Sequence, residues 1–240
     1  MKPVAPILMY HQIAAGPQAT SRLAVSPAVF AAQLAYLQAG GFTTVTASAL
    51  AAAVGGDAGR MPVRPVVLTF DDGFADFHQV ALPLLREYGF TATVFVTTGW
   101  IQDAGPRSAG RRPGRMLSWS QLLEAAGAGV EIGAHSHRHP QLDQMAGADL
   151  RRELHDSKAL LEDRLGRAVP GLAYPFGYSS ARVRGAVRAA GHEYACAVGN
   201  MIARAPSDPF TLPRLTIRRS TKPAAFGRIV RGRGLPVIYL

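Results

Sequence analysis

Residues 66–77 read VVLTFDDGFADF, a stretch in which a continuous apolar run leads directly into two adjacent acids and a glycine. An apolar run of this length is typical of a strand that is buried on both faces, as in a parallel sheet. Because neighbouring strand residues point in different directions, Asp71 and Asp72 can take different tasks, one as a metal ligand and the other as a free base. The alternative is that both acids cap the turn or the helix that follows.

Short apolar runs recur along the chain and alternate with amphipathic stretches, which predicts repeated βα units around a parallel sheet. The clearest helices begin at Ser26, with Pro27 at the first helical position, and at Asp149, with an apolar stripe that ends before Gly166. About eight strands favour a compact (β/α) barrel over an open sheet. We expect strands at residues 5–10, 42–45, 66–70, 90–96, 130–134, 171–174, 193–198 and 214–217.

The composition fits one domain spanning residues 1–240, since 48% of the residues are hydrophobic and can fill a single core. The net charge of +10 is uneven, because residues 200–240 contain eight Lys or Arg residues and one acid, Asp208. This basic surface predicts contact with an anionic glycan, a phosphate or an anionic membrane. No RNA-binding or DNA-recognition pattern accompanies the charge, so we do not expect nucleic acid as a partner.

The first residues, MKPVAPILMYHQI, have one lysine and an apolar run broken by two prolines. This pattern lacks the h-region and cleavage site of a secretory signal, so we expect a cytoplasmic protein, with peripheral membrane contact through the basic segment. A signal peptide trimmed from the chain would instead make it periplasmic. The single cysteine, Cys196, lies in an apolar stretch, where it is expected to be a small buried side chain.

A second apolar run ends in histidines at residues 130–142, VEIGAHSHRHPQL. Imidazole is a common ligand of zinc and related metals, and His135 and His139 can converge on one ion from a strand end and the loop after it. His135 with His137 is the rival pairing. Solvated loop histidines are the simplest alternative. Pro140 disfavours a helix at His139.

Residues 102–115 interrupt the βα rhythm, because they are rich in Gly, Pro and Arg and lack an apolar period. We interpret them as a surface loop. The loop is either a variable insertion, which surface loops tolerate readily, or a lid that faces the substrate. The first interpretation is the simpler one.

The segment TFDDG at residues 69–73 followed by HSHRH at residues 135–139 resembles the first two motifs of the polysaccharide deacetylase family, also called the NodB homology domain or carbohydrate esterase family 4. The likeness covers nearly the whole chain. It extends, in the order typical of the exopolysaccharide-deacetylase-like subgroup, to LMYHQI (8–13), ELHDSKALLEDRLG (153–166), AYPFG (173–177) and LPRLTI (212–217).

The resemblance implies an α/β fold, a distorted (β/α)7–8 barrel of the NodB homology type. It also implies a metal-dependent hydrolase that removes N-acetyl groups from hexosamine residues of a bacterial polysaccharide or of its lipid-linked or nucleotide-linked precursor. An O-acetyl esterase acting on a glycan and an inactive carbohydrate-binding relative are the alternatives.

The resemblance further implies that Asp72, His135 and His139 hold a divalent ion, zinc first, with Co²⁺, Ni²⁺ or Mn²⁺ as alternatives, and that Asp71 is the general base. Three protein ligands leave positions for water and for the acetyl carbonyl. In the family a backbone N–H of the AYPFG-type turn stabilises the oxyanion, and Phe176 is the candidate donor.

Two motifs depart from the family pattern. Many relatives carry an arginine two residues before the turn proline, where this chain has Ala173. Arg214 in LPRLTI is the candidate replacement, because a nearby guanidinium would hold Asp71 ionised and oriented. The alternative is that Arg214 is one charge of the basic surface.

The usual C-terminal histidine of the family is also missing, because the chain has no histidine after His192. His11 follows an apolar run, and we expect it at the C-terminal end of a strand, facing the barrel mouth. In the resembling subgroup this motif is found near the N-terminus. His11 is therefore the candidate general acid, with a satisfied buried histidine as the alternative.

Two aromatic residues, Tyr174 and Trp119, are candidates for the wall of a sugar or acetyl pocket, although aromatic side chains more often pack in a core. The remaining histidines, His78, His155 and His192, lie in or next to predicted helices. We expect these three to be surface or packing residues.

Overall fold

The computed structural model describes residues 2–19, 21–56 and 61–232. The α-helices are α1 (Pro27–Ala39), α2 (Ala47–Gly55), α3 (Leu82–Glu87), α4 (Trp119–Gly127), α5 (Gly147–Leu165), α6 (Ala181–Ala189) and α7 (Pro223–Val230). The strands are β1 (Lys2–Ala5), β2 (Ile7–Tyr10), β3 (Thr43–Thr44), β4 (Pro65–Phe70), β5 (Thr93–Val96), β6 (Glu131–Ala134), β7 (Gly171–Ala173), β8 (Tyr194–Cys196), β9 (Ala203–Ala205) and β10 (Leu215–Thr216).

Seven parallel strands form the main sheet in the order β10-β2-β4-β5-β6-β7-β8. The segment before β10 connects its two edges, because Leu212 bridges to Cys196 at the end of β8 while Leu215 pairs with Leu8 of β2. The sheet therefore curls into a distorted barrel with helices packed outside it. This confirms the predicted distorted (β/α)7–8 barrel.

Two of the eight predicted strands differ from expectation. The run predicted at residues 5–10 breaks at Pro6, which has no N–H for a continuous ladder, so β2 begins at Ile7. Ala5 instead ends β1, which starts at Lys2 and pairs antiparallel with β9. The sequence pattern did not predict β9. The strand predicted at residues 42–45 shrinks to β3, which pairs with the start of β4 outside the barrel circuit.

Alternation along the strands separates two apolar cores. Val67 of β4 belongs to the barrel interior, which α2 and β1 close at one end, whereas Leu68 packs outward against the helices. Cys196 lies in the interior core, and burial raises the pKa of its thiol to about 12. It is therefore a small buried side chain, as predicted. The same alternation decides which residues reach the open end of the barrel.

The predicted helix ends are present with small shifts. The side chain of Ser26 accepts a hydrogen bond from the Val29 N–H at the start of α1, and Gly166 ends α5 in the left-handed conformation at a φ of 64°. The helix predicted from Asp149 begins two residues earlier, at Gly147. Among the described residues, every helix falls short of the length and apolarity that crossing a membrane requires.

Candidate active site

A cavity of about 620 Å³ opens at the C-terminal ends of the barrel strands. Parallel barrels place their ligand sites at this end, because the loops that follow the strands meet there. Eight of the nine residues proposed for the site from the sequence line the cavity: His11, Asp71, Asp72, His135, His139, Tyr174, Phe176 and Arg214. The exception is Trp119.

Three of these side chains continue the inward-facing rows of their strands. His11 follows Ile7 and Met9 with a period of two, and Asp71 and His135 take the corresponding places after β4 and β6. In each of these three strands, the first residue after the strand end is polar and its side chain points into the cavity.

The backbone turns sharply after Asp71. Asp72 adopts a φ of 74° and Gly73 a φ of 83°, so two consecutive residues lie in the left-handed region. Aspartate tolerates this region better than most residues, and glycine enters it freely. A Cβ on Gly73 would also lie 3.3 Å from a methyl carbon of Val96. This reversal allows both neighbouring carboxylates to face one cavity.

One oxygen or nitrogen atom from each of Asp72, His135 and His139 forms a group in which all atoms lie within 4.8 Å of one another. The Asp72 Oδ1 atom is 3.4 Å from Nε2 of His135 and 3.5 Å from Nε2 of His139. It is buried, and among the described residues it has no hydrogen-bond partner. Two ligands of a tetrahedral zinc ion, each about 2.05 Å from the metal, are themselves about 3.4 Å apart. The spacing and the unpartnered oxygen therefore fit a divalent ion.

His135 is held in the tautomer that a metal ligand requires. Its Nδ1 lies 2.8 Å from the carbonyl oxygen of Ala173, which can only accept, so Nδ1 carries the proton and Nε2 presents its lone pair to the cluster. Burial lowers the pKa of His135, but the Asp71 and Asp72 carboxylates outweigh it and the net shift is upward.

His139 is fixed by two aromatic rings. It stacks on Trp100 at 5.0 Å and meets Phe176 edge-on at 4.8 Å, measured between ring centroids. Burial, assisted by the neighbouring His135, lowers the pKa of His139 to about 4, so the ring is neutral at pH 7. Trp100 was missed from the sequence, although it follows β5 closely at the end of the barrel where sites form.

The structure brings His135 close to His139 and not to His137, the alternative partner. His137 is outside the group of potential ligands, and its Nδ1 lies 2.8 Å from Oγ1 of Thr98. The side chain is only partly buried. His137 therefore helps to shape the loop rather than facing the cavity.

A buried glutamate on α5 holds the histidine loop from behind. The Oε1 atom of Glu153 accepts hydrogen bonds from the backbone N–H groups of His137 and Arg138, while Oε2 pairs with Nε of Arg138 at 2.8 Å. Glu153 is 3% exposed. It thus positions the segment between His135 and His139, a task that its place in an ordinary amphipathic helix did not signal.

Asp71 forms a bidentate ion pair with Arg214. The two guanidinium nitrogens lie 2.6 and 2.7 Å from the two carboxylate oxygens, and Arg214 also donates to the carbonyl of Ala197 and the hydroxyl of Thr69. Burial would raise the pKa of Asp71, but the charge of Arg214 outweighs it and lowers the pKa to about 2. Arg214 is fully buried, so it is not a charge of the basic surface.

His11 enters the cavity from β2, between the strands that carry Arg214 and Asp71. Its Nδ1 atom is buried without a hydrogen-bond partner in the part of the chain that the structure describes. Burial lowers the pKa of His11, although the two aspartates act in the opposite direction. His11 is therefore not a satisfied buried histidine.

The aromatic candidates separate into three cases. Phe176 is 56% exposed at the cavity and adopts a φ of 61° in the turn after β7. Tyr174 lines the cavity with its ring, but its hydroxyl donates to the carbonyl of Phe210 at 3.0 Å and is not free for a ligand.

The prediction for Trp119 is wrong. Trp119 is buried at the first turn of α4, where Ser118 and Gln121 form a capping box, and Arg164 covers its ring at 5.3 Å. A tryptophan directly after a capping serine packs on the inner side of its helix, and here that side faces α5 instead of the barrel mouth.

The other sequence features lie outside the cavity. His78 contacts Glu124 on the protein surface, His155 is exposed, and His192 is buried, as predicted for packing or surface residues. The loop predicted at residues 102–115 is irregular apart from a short 3-10 turn, and only Pro113 from it lines the cavity.

The comparisons with known proteins agree with this geometry. Residues 58–195, more than half of the chain, match the family model described as polysaccharide deacetylase. The chain belongs to the polysaccharide deacetylase family. Among members of that family, YxkH of Bacillus subtilis is 27% identical over 225 residues, which cover 94% of this chain and 75% of YxkH.

Two further relatives extend the comparison. The poly-beta-1,6-N-acetyl-D-glucosamine N-deacetylase of Staphylococcus aureus is 24% identical over 168 residues, which span 66% of this chain and 56% of that protein. The structure of the Streptococcus pyogenes deacetylase PplD in complex with acetate superposes with a TM-score of 0.84 at 27% identity, covering 95% of this chain and 99% of PplD.

Proposed function

We propose that this protein is a metal-dependent hydrolase that removes N-acetyl groups from hexosamine residues of a bacterial polysaccharide or of its lipid-linked or nucleotide-linked precursor. One observation carries the proposal: the Asp72, His135 and His139 group stands beside an arginine-bound Asp71 in a single cavity. Membership of the polysaccharide deacetylase family supports the reaction class.

Asp72, His135 and His139 would hold the ion, with zinc as the first choice because its ligands are commonly histidine and carboxylate. When bound, such an ion polarises the acetyl carbonyl and acidifies water. His139 is neutral at pH 7, and His135 presents Nε2, so both imidazoles offer a lone pair.

Asp71 accepts the proton of the attacking water. Arg214 keeps the carboxylate ionised and fixes its plane, while each carboxylate oxygen retains a second lone pair for the water. The water oxygen forms a bond to the acetyl carbon, and the bond from that carbon to the sugar nitrogen then breaks, giving acetate and a free amine.

The departing nitrogen needs a proton, because an amide anion is a poor leaving group, and His11 donates it in its imidazolium form. Burial lowers the pKa of His11 and disfavours this form, whereas the charges of Asp71 and Asp72 favour it. The position of His11 on β2, next to β4, brings it to the same cavity as Asp71. The Phe176 backbone N–H stabilises the oxyanion, and its ring together with that of Tyr174 forms a wall for the acetyl group or the sugar.

The test of this function is acetate release by metal-loaded protein from paired N-acetyl and O-acetyl glycans. We expect acetate from the N-acetyl substrate, and Asp71→Asn should lower kcat/KM about 10³-fold, within the range typical of general bases, while bound zinc measured by mass spectrometry stays stoichiometric. Acetate from the ester alone would exclude the amide reaction. Unchanged turnover in Asp71→Asn would exclude the proposed mechanism.

A further inference from the structure

We propose that the cavity contains an anion subsite formed by Arg22, Arg218 and Thr216, and that the preferred substrate carries a phosphate group next to its acetylated sugar. This inference rests on the proposed deacetylase function and narrows its substrate class. The three residues lie on the side of the cavity where β10 and β2 are neighbours. The metal-ligand group comes from the loops after β4 and β6 and lines the same cavity.

The two arginines have no acidic partner in the described residues. Neither Arg22 nor Arg218 takes part in a salt bridge there, in contrast to Arg138, Arg188 and Arg214, which all pair with carboxylates. Both nevertheless line the catalytic cavity. An arginine without a carboxylate retains its full set of donors for a planar or tetrahedral anion.

A third arginine positions these two. The backbone N–H of Arg219 donates to the carbonyl of Arg22, and its guanidinium donates to the carbonyls of Ala19 and Ser21, each at 2.9 Å. These bonds tie the segment before α1 to the segment after β10. Arg22 and Arg218, which come from opposite ends of the chain, are thereby held at one rim.

A buried hydroxyl completes the subsite. Thr216 is 8% exposed and lines the cavity, and its Oγ1 atom has no hydrogen-bond partner within the described residues. Its backbone N–H donates to Oδ1 of Asn200, another cavity residue. A buried hydroxyl left without a partner is destabilising unless a ligand satisfies it.

The charge of the cavity favours an anion. Among the described residues that line it, the side chains charged at pH 7, apart from histidine, are the arginines at 22, 214 and 218 and the two aspartates at 71 and 72. Arg214 already neutralises Asp71, so Arg22 and Arg218 exceed the remaining carboxylate even before a divalent cation is added. A polymer of neutral N-acetylated sugars has no group that could form an ion pair with these arginines. A phosphate ester, a phosphodiester or a diphosphate carries the negative charge that can.

The test uses zinc-loaded protein and two disaccharides of N-acetylglucosamine that differ only at the reducing end, one with a methyl group and the other with a phosphate. We expect kcat/KM to be at least tenfold higher for the phosphorylated disaccharide. The double variant Arg22→Gln/Arg218→Gln should remove this preference mainly through KM and leave the methyl glycoside unaffected. The preference should also weaken as salt screens the rim charges.

Arg86→Gln/Arg228→Gln is the matched control, because both arginines are exposed, on α3 and α7, neither lines the cavity, and the net charge falls by the same two units. It should leave the preference intact. Equal kcat/KM values for the two disaccharides in the wild-type protein, or a preference that survives in the double variant, would overturn the subsite.

Binding separates the subsite from the reaction. Calorimetric titration of the phosphorylated disaccharide into the Asp71→Asn protein, with and without the two arginine substitutions, should show at least a tenfold difference in Kd. An unchanged Kd contradicts the subsite even if acetate is released. Absence of turnover with a changed Kd contradicts only the deacetylase function. Parallel titrations with a nucleoside-diphosphate-linked sugar and a sugar phosphodiester distinguish the sources of the phosphate.

Discussion

Asp71 and Asp72 are neighbours in the chain but have opposite environments. Asp71 is 3% exposed, and both of its oxygens are bound by Arg214. Asp72 has a buried oxygen close to two imidazole nitrogens, and this oxygen has no hydrogen-bond partner in the part of the chain that the structure describes. The base half of the site, Asp71 with Arg214, is thus an ion pair within the protein, whereas the ligand half, Asp72 with His135 and His139, has the donor set and spacing that fit a divalent cation.

The difference shows how one turn can produce two chemically distinct carboxylates. A paired carboxylate in a buried site keeps its charge and orientation whatever the cavity contains. Asp72 has imidazoles beside it instead of a permanent cation; burial would raise the pKa of its carboxyl, but the neighbouring histidines outweigh burial and lower it. Substitutions should therefore affect the folded protein itself in the base half and its response to metal in the ligand half.

Breaking the base half should have the largest effect on stability. Arg214→Met removes one partner of a buried ion pair and leaves the Asp71 charge stranded, so we expect the free energy of unfolding to fall by about 3–5 kcal/mol in chemical denaturation. The pKa of Asp71 should rise, because the positive charge that lowers it is gone.

The double variant Asp71→Leu/Arg214→Met separates this effect from a general packing defect. It carries no stranded charge and should recover most of the lost stability. A double variant as unstable as Arg214→Met alone would show that the ion pair is not the cause.

In the ligand half, Asp72→Asn should change the stability of the metal-free protein by only about 1 kcal/mol, because the carboxylate contacts imidazoles and not a permanently charged partner. Zinc at a hundredfold excess over its Kd should stabilise the wild type by about 2.7 kcal/mol and the variant very little, measured by thermal unfolding with and without metal. His137→Ala is the matched control, and its zinc response should equal that of the wild type. Equal responses in wild type and Asp72→Asn would place the ion elsewhere.

Substitution of Glu153, which holds the histidine loop in place, should have a smaller effect on stability. Glu153→Leu leaves the backbone N–H groups of His137 and Arg138 without their acceptor, so we expect a loss of about 2 kcal/mol in unfolding free energy and a tenfold weaker zinc Kd. Glu153→Gln retains an acceptor oxygen and should preserve most of the unfolding free energy and most of the zinc affinity. If both variants behave alike, the backbone hydrogen bonds are not what positions the loop.

Asp76, four residues after Asp72, is a third carboxylate that belongs to neither the base half nor the ligand half, and it serves as a comparison for both. Asp76 accepts a hydrogen bond from the Ile13 N–H, and burial raises its pKa from 3.8 to about 6. The folded protein therefore binds this proton more tightly than the unfolded chain, and the resulting stability is full below pH 4 and lost as the pH rises through 6.

Asp76→Asn removes this titration and should be more stable than the wild type at pH 7 by about 1–2 kcal/mol. The two proteins should converge towards pH 4. Urea denaturation at several pH values measures the difference, and a difference that does not depend on pH would contradict the assignment to Asp76.

The alternation of apolar strands with amphipathic helices predicted most of the fold. The two-residue repeat within each strand then predicted which polar residues face the cavity. Once VVLTF is a buried strand, Asp71 must continue its inward row, and the same argument places His11 and His135 at the mouth. The contact of Arg214 with Asp71 was also predicted, but from the resemblance to the family, whose members often carry an arginine where this chain has Ala173.

What the pattern could not predict depends on which helix or loop packs against which strand. Trp119 and Trp100 are both tryptophans near polar motifs, yet only Trp100 reaches His139, because β5 ends beside β6. Glu153 and Arg22 occupy positions with no distinctive spacing. Their roles arise only when α5 covers the histidine loop and the two ends of the chain meet.

The ion pair between Arg214 and Asp71 joins positions 143 residues apart in the sequence. During synthesis the TFDDG turn leaves the ribosome long before its arginine, so the nascent barrel carries an uncompensated acid at its centre. Closure between β8 and β2 and neutralisation of that acid depend on the same short segment, residues 212–216, which includes Arg214. A chain terminated before residue 212 would thus lack both the last strand of the barrel and the arginine that orients Asp71. Barrel closure and catalytic competence therefore depend on the same segment.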